Sequence, residues 1–237
     1  MRRFKVVFDL VIEPIAYIHT DFSEKFGIPR QSGRVPALQG RIVFEPSFRN
    51  PDTLRDLDGF SRIWLIFGFS KASRDTWSAT VRPPRLGGNR RVGVFASRSP
   101  YRPNPLGLSC VQLDRIEQID NGPQLIVSGV DLLDNTPIYD IKPYIPYADC
   151  YPDASAGYTQ DTSRYCLTVD VPQELLARLP QEKREAVVCC LAEDPRPSYQ
   201  DDPDRIYSMR FMDFDVRFRV QNGTLTVIAV DDYNTSS

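Results

Sequence analysis

Residues 77 to 113 carry six arginines (Arg82, Arg85, Arg90, Arg91, Arg98 and Arg102) and neither Asp nor Glu, in a chain whose formal net charge is -2. A solvated surface intersperses acids among its bases. A cationic run without acids, on a segment stiffened by proline, suggests a polyanionic ligand, with nucleic acid first among them. The run reads VRPPRLGGNRRVGVFASRSPYRPNPLGLS. Arginine's planar fork grips phosphate and stacks on a base, and Gly87 and Gly88 let the backbone approach a ligand closely. A tight surface turn with solvated charges fits the same features. Neither GxxxxGKS/T nor GxGxxG occurs, so neither common phosphate-binding glycine loop is present.

Other residues could complete a site. In Arg102-Pro103-Asn104-Pro105 two prolines fix the neighbours of Asn104, so its amide is held with little entropy left to lose. An amide both donates and accepts, which suits a nucleobase or an amino-acid group. DLLDNTPIYDIKPYIP (131–146) contains Asp131, Asp140 and Lys142. A carboxylate beside a lysine at a strand end can orient an ammonium or take a proton, or form an ordinary ion pair. Asp134-Asn135 fits a turn. Pro29-Arg30-Gln31 would place a cation beside an amide.

Composition excludes several classes. His19 is the single histidine, so a Ser-His-Asp triad or a His-based metal site would depend on it alone. Five cysteines, an odd number with no CxxC and no zinc spacing, read as reduced thiols of a cytoplasmic protein. The N-terminal apolar stretch is broken by Lys5, Asp9 and Glu13, unlike a signal-peptide core. No apolar run is long enough to cross a bilayer as a helix.

The elements that must position these groups are mostly strands. Short β-branched and aromatic runs at 4–18, 41–44, 63–69, 92–96, 107–119, 124–132 and 138–144 predict strands. Asn50 as cap and Pro51 at the first position predict a short helix over 52–57. Long helical patterns between strands are missing before residue 150, which argues against a doubly wound sheet and for a mainly β domain, a sheet or barrel, over 4–150. Helices at 173–179 and 181–192, then RFMDFDVRFRV, a Gln-Asn-Gly turn and LTVIAV as a hairpin, predict a small α+β appendage over 151–237.

Four segments together, EKFGIPRQ, VRPPRLGGNRRVGVFASRSPYRPNPLGLS, DLLDNTPIYDIKPYIPYAD and DPRPSY, resemble the signatures of the TrmO (TsaA-like) family, in order across about residues 12–220. The resemblance implies a single-sheet β-barrel-like methyltransferase domain, usually in a homodimer, that uses S-adenosyl-L-methionine. The implied substrate is N6-threonylcarbamoyladenosine beside the anticodon of a threonine tRNA, methylated on N6. By position, it assigns cofactor contact to Pro29, Arg30, Gln31, Arg98, Leu108, Gly129, Val130, Asp131 and Leu132. Ser70 and Lys71 stand where the family often shows His-Gln. Asn135 replaces a usual turn glycine, and asparagine also tolerates positive φ.

On this reading Asn104, Asp140 and Lys142 lie near the methyl-transfer centre. Arg82, Arg85, Arg90, Arg91 and Arg102 hold the anticodon arm. Arg196, Tyr199, Arg217 and Arg219 extend the RNA surface or serve the dimer. The reading requires a cavity of nucleoside size between the PRQ loop and the DLLDNTP turn. Two rivals remain: a cofactor-sensing RNA-binding module, and a methyltransferase of the same fold acting on another nucleotide or a small molecule.

Overall fold

The computed structural model describes residues 11–69, 76–83, 90–162, 165–197, 200 and 202–233. Strands β1 (Ala16–Thr20), β2 (Gln39–Phe44), β3 (Arg62–Gly68), β4 (Thr80–Val81), β5 (Val92–Gly93), β6 (Leu106–Ile119), β7 (Gly122–Ser128) and β8 (Thr136–Pro143) make up the first part. Six of them close an antiparallel barrel in the order β1-β2-β7-β6-β3-β8. Alternation explains the closure. Ile63, Leu65 and Phe67 on β3, Val111 and Leu113 on β6, and Leu125 and Val127 on β7 all turn inward and are buried. A closed sheet leaves no edge strand exposed to other chains. β4 and β5 pair as a separate two-stranded ribbon.

Local conformation modifies several expected elements. The 52–57 helix is instead two short 3-10 turns, Pro51–Leu54 and Leu57–Gly59, because Asp56 between them is left-handed (φ 64°). Asn50 still caps the first, its side chain accepting from the Asp52 amide at 3.0 Å. The expected strand at 4–18 is regular only from Ala16, and residues 4–10 lie outside the described ones. The strand expected at 92–96 is two residues of β5 followed by a 3-10 turn, Val94–Ala96. The one expected at 124–132 stops at Ser128, where Gly129 takes φ 72°.

The chain then forms α1 (Pro146–Asp149), β9 (Thr168–Asp170), α2 (Gln173–Leu176), α3 (Arg184–Ala192), β10 (Tyr207–Phe211), β11 (Phe214–Gln221) and β12 (Thr224–Asp232). RFMDFDVRFRV is therefore itself folded back, with Met212 at φ 52° between β10 and β11. The expected turn at Asn222-Gly223, both at positive φ, joins β11 to β12, as a two-residue hairpin requires. The second sheet runs β10-β11-β12-β9.

The two parts share one core. The loop after β1 is the seam between them. Phe22 meets Phe211 edge-on at 5.3 Å, and Phe26 stacks on Phe218 at 6.4 Å. Gly27, at φ 95°, lies so close to Met209 that an added Cβ would stand 2.4 Å from its sulfur. Lys183 pairs with Asp21 at 2.7 Å, both largely buried. Among the described residues, no helix is long and apolar enough to cross a membrane.

Candidate cofactor and substrate site

Two loops meet over one end of the barrel. Asp134 ties the 131–136 turn to β1, its carboxylate accepting from the Thr20 amide at 3.0 Å and lying 3.3 Å from His19 Nδ1. This is a structural role for the single histidine. Asn135 takes φ 61°, as its glycine-like position requires. The 29–34 loop crosses the exit of β7, where the Gly33 amide donates to the Gly129 carbonyl and the Gly129 amide to the Leu38 carbonyl, each at 2.8 Å. A Cβ on Gly129 would stand 3.2 Å from the Gly33 backbone, so this crossing depends on glycine.

The crossing assembles a polar network. Ser109 Oγ donates to Asp131 Oδ1 at 2.6 Å, and the Ser32 amide also hydrogen-bonds the Asp131 carboxylate. Ser32 Oγ accepts from the Cys110 amide at 3.2 Å. Arg98 donates to the Gln31 side-chain carbonyl. Burial pushes the Asp131 carboxyl above the usual aspartate range, opposed by the Ser109 and backbone hydrogen bonds and by the charge of Arg98.

Between these loops opens a cavity of about 830 Å³. Its apolar wall includes Ile28, Phe67, Phe69, Leu106, Leu108 and Leu133. Its polar groups include Arg30, Gln31, Arg98, Arg102 and Asp131. Glu193, Asp194 and Pro195, just after α3, form a third side. A concave, largely apolar space with a few convergent polar groups is the form small-molecule sites take. The site spans the sequence-expected interval between the PRQ loop and the DLLDNTP turn.

The structure places the sequence-predicted residues in several ways. Arg30, Gln31, Arg98, Leu108, Asp131 and Leu132 line the cavity, as does Arg102, assigned to RNA. Pro29, Gly129 and Val130 are buried behind it and shape its loops. Ser70, Lys71, Arg85 and Tyr199 lie outside the described residues.

Asp140 and Lys142 are placed elsewhere. They pair with each other at 2.8 Å, and Asp140 borders a second hollow of about 370 Å³ beside Phe44 and Phe60. The cause is a bulge between β3 and β8. Phe67 is opposite Ile138, but Ile66 is opposite Asp140, leaving Tyr139 as the extra residue. Beyond the bulge the inward parity is reversed, so Asp140 and Lys142 share the outer face with Ile66 and Trp64. Asn104 is exposed on the turn between cavity-lining Arg102 and Leu106 and does not itself reach the wall.

The cations are also unequal. Arg82, Arg90 and Arg91 are exposed along the β4–β5 ribbon, where Arg91 donates to Thr80 Oγ1 at 2.9 Å. Arg219 is exposed on β11, while Arg217 pairs with Asp215 and Asp231. Arg196 departs from the expected RNA-facing position. It is 9% exposed and forks onto Asp194 at 2.9 and 3.0 Å.

Sequence reasoning missed Ser109 and the 193–195 wall. Ser109 had a signal, since it falls at an inward position of β6 between Gly107 and Val111, and a buried hydroxyl needs a partner. The 193–195 wall had none, because it depends on how the second sheet docks.

The family model for the tRNA-methyltransferase O N-terminal domain matches residues 17–150, and the TrmO C-terminal domain matches 164–233. The chain is 39% identical over 231 residues to the tRNA (adenine(37)-N6)-methyltransferase of Escherichia coli K12, covering 92% of this chain and 97% of that one. It is 43% identical over 215 residues to a putative S-adenosylmethionine-dependent methyltransferase, RcsF, of Pseudomonas aeruginosa, covering 87% and 91%. A crystal structure of TrmO from Pseudomonas aeruginosa superposes with a TM-score of 0.76 at 34% identity, covering 94% of this chain and 99% of that one. With both family domains matched in order around a cavity that both parts wall, the chain belongs to the TrmO family.

Proposed function

We propose that this chain is an S-adenosylmethionine-dependent tRNA methyltransferase that methylates N6 of N6-threonylcarbamoyladenosine beside the anticodon of threonine tRNA. The observation that carries this reading is the cavity between Gln31 and Asp131, bordered by cationic Arg98 and Arg102. The relatives' names support adenine 37 of tRNA as the target and S-adenosylmethionine as the donor.

The residues present fit such a cofactor. A half-buried carboxylate, Asp131, faces a cationic head group. The Arg98–Gln31 pair offers a donor and an amide. Phe67, Phe69 and Leu108 offer apolar surface to a purine. S-adenosylmethionine supplies a methyl group on a sulfonium sulfur, which departs as a neutral thioether and so needs no acid. Asp131 supplies counter-charge from a site where water is partly excluded, which strengthens the attraction.

The accepting nitrogen is a poor nucleophile, its lone pair delocalised into the ring and the carbamoyl group, while that acylation makes its N–H more acidic. The main task of the protein is therefore alignment, for which well-oriented intramolecular cases gain about 7–11 kcal/mol. Arg82, Arg90 and Arg91, exposed on the β4–β5 ribbon, are the candidate phosphate contacts.

The deciding experiment incubates the protein and methyl-labelled S-adenosylmethionine with threonine tRNA that carries or lacks the threonylcarbamoyl group. Label in the modified tRNA alone supports the proposal. Label in both or in another RNA moves the substrate elsewhere. Tight cofactor binding with label in neither identifies a sensor.

A further inference from the structure

Arg34 closes the 29–34 loop but is absent from the cavity wall. Its guanidinium reaches across to the segment after α3, with Nε donating to Oε1 and Oε2 of Glu193 at 3.1 and 3.0 Å and Nη2 to Oε1 at 2.6 Å. Glu193 is only 11% exposed at its side chain. The fork is therefore partly desolvated and geometrically specific. A second tie runs parallel to it. Arg30 donates to the Arg196 carbonyl at 3.0 Å, and the Arg196 side chain is fixed by Asp194. Between these two anchors lie Gln31 and Ser32, the groups that meet Arg98 and Asp131.

We propose that Arg34 is a positioning residue for the methyl-donor site: clamped by Glu193, it holds the 30–33 loop so that Gln31 and the Ser32 amide are presented to Arg98 and Asp131. The second sheet thereby acts on cofactor binding through a loop of the barrel. This rests on the reading that the cofactor occupies the cavity between Gln31 and Asp131. Without the clamp the loop samples other arrangements, and apparent affinity falls by the fraction of time the competent one is lost.

The test measures S-adenosylmethionine affinity by calorimetry, tRNA KM and kcat, and amide exchange of residues 30–33 in the free protein. The variants are Arg34→Ala, Arg34→Lys and Gln31→Ala. Arg34→Ala is expected to accelerate exchange at 30–33 and to raise the cofactor Kd about tenfold, as when the competent fraction drops to a tenth. The tRNA KM and kcat at saturating cofactor stay near wild type. Arg34→Lys, which keeps the charge but loses the fork, falls between and provides the readout should Arg34→Ala fail to fold. Unchanged exchange at 30–33, or a shift confined to the tRNA KM, overturns the proposal. Normal cofactor affinity in the Arg34 variants with weakened affinity in Gln31→Ala sinks the clamp alone. Normal affinity in all three sinks the site reading and the clamp with it.

Discussion

Ser109 on β6 donates to Asp131 beyond the end of β7 at 2.6 Å, so a buried hydroxyl inside the barrel favours the ionised form of a carboxylate at its mouth. The Asp131 carboxyl is raised above its ordinary value of 3.8, chiefly by burial, and Ser109 opposes that rise. The ionised form is the one that attracts a cationic donor. Affinity for S-adenosylmethionine should therefore be full above the folded-state pKa of Asp131 and fall as pH drops through it, at a higher pH than for an ordinary aspartate. Ser109→Ala removes an opposing bond and moves that midpoint further up. Asp131→Asn removes this dependence and weakens binding by about 10- to 150-fold, the loss of one hydrogen-bonded charge contact worth about 1.5–3 kcal/mol. Calorimetric titrations across pH check all three statements.

The fold of the folded protein should respond to the same group with the opposite sign of pH. Because the native Asp131 pKa is raised, the folded state binds its proton more tightly than the unfolded chain does. The contribution of Asp131 to stability is thus complete below its unfolded pKa and is lost as pH rises through the folded one. Urea midpoints of wild type and Asp131→Asn, compared between acid and neutral pH, should show the difference between the two proteins growing in favour of the variant as pH rises.

Among the described residues, the exposed cations divide by whether an acid holds them. Arg82, Arg90 and Arg91 stand on the ribbon flank, whereas Arg217 is paired with Asp215 and Asp231. If the first three contact phosphates, each change to Ala lowers the slope of log affinity against log salt by about 0.7–0.9. Arg217→Ala should alter that slope little, because its charge is already neutralised locally. Filter binding of threonine tRNA over a salt series separates the two groups.

What the sequence displayed, and what it hid, follows from which interactions are local. The barrel strands were legible because inward alternation at Ile63, Leu65 and Phe67 is written in neighbouring residues. Turns at Asn135 and Asn222 were legible for the same reason. The outward placement of Asp140 was hidden, because one bulged residue on β8 is specified by its pairing with β3 rather than by its own sequence. The inward fold of Arg196 onto Asp194 was hidden by an adjacent left-handed Asp194, at φ 51°, a conformation uncommon outside glycine. The cationic strip was legible as charge, but composition could not tell which arginines line a cavity and which face solvent.

The bulge makes a direct statement about Asp140 and Lys142. Their pair is largely solvated, with side-chain exposures of 45% and 61%, and such pairs contribute about 0–1 kcal/mol. Asp140→Ala is expected to leave the single-turnover methylation rate within about twofold of wild type, a difference of less than about 0.5 kcal/mol in barrier. A loss of a hundredfold or more would require the outer face of β8 to meet substrate, and rapid-quench measurements decide it.

The shared core predicts how the molecule unfolds. Phe22 belongs to the loop after β1 and Phe211 to β10, and both are almost wholly buried against each other. If the barrel and the second sheet were independent, Phe211→Ala would lower only one of two transitions. Because their buried residues form one cluster, a single cooperative transition is expected, monitored alike by fluorescence and far-ultraviolet dichroism. Phe211→Ala should lower that whole transition by about 3–5 kcal/mol, the range for emptying a large aromatic site. Gly27→Ala attacks the same seam from the other side, where φ 95° and the Met209 sulfur both resist a Cβ. It should destabilise the protein, where an unstrained glycine replacement would instead stabilise it by about 0.4–1 kcal/mol, and it should loosen the 29–34 loop that follows. Two resolved transitions in either variant would show that the seam, and with it the third wall of the cavity, is not part of one folding unit.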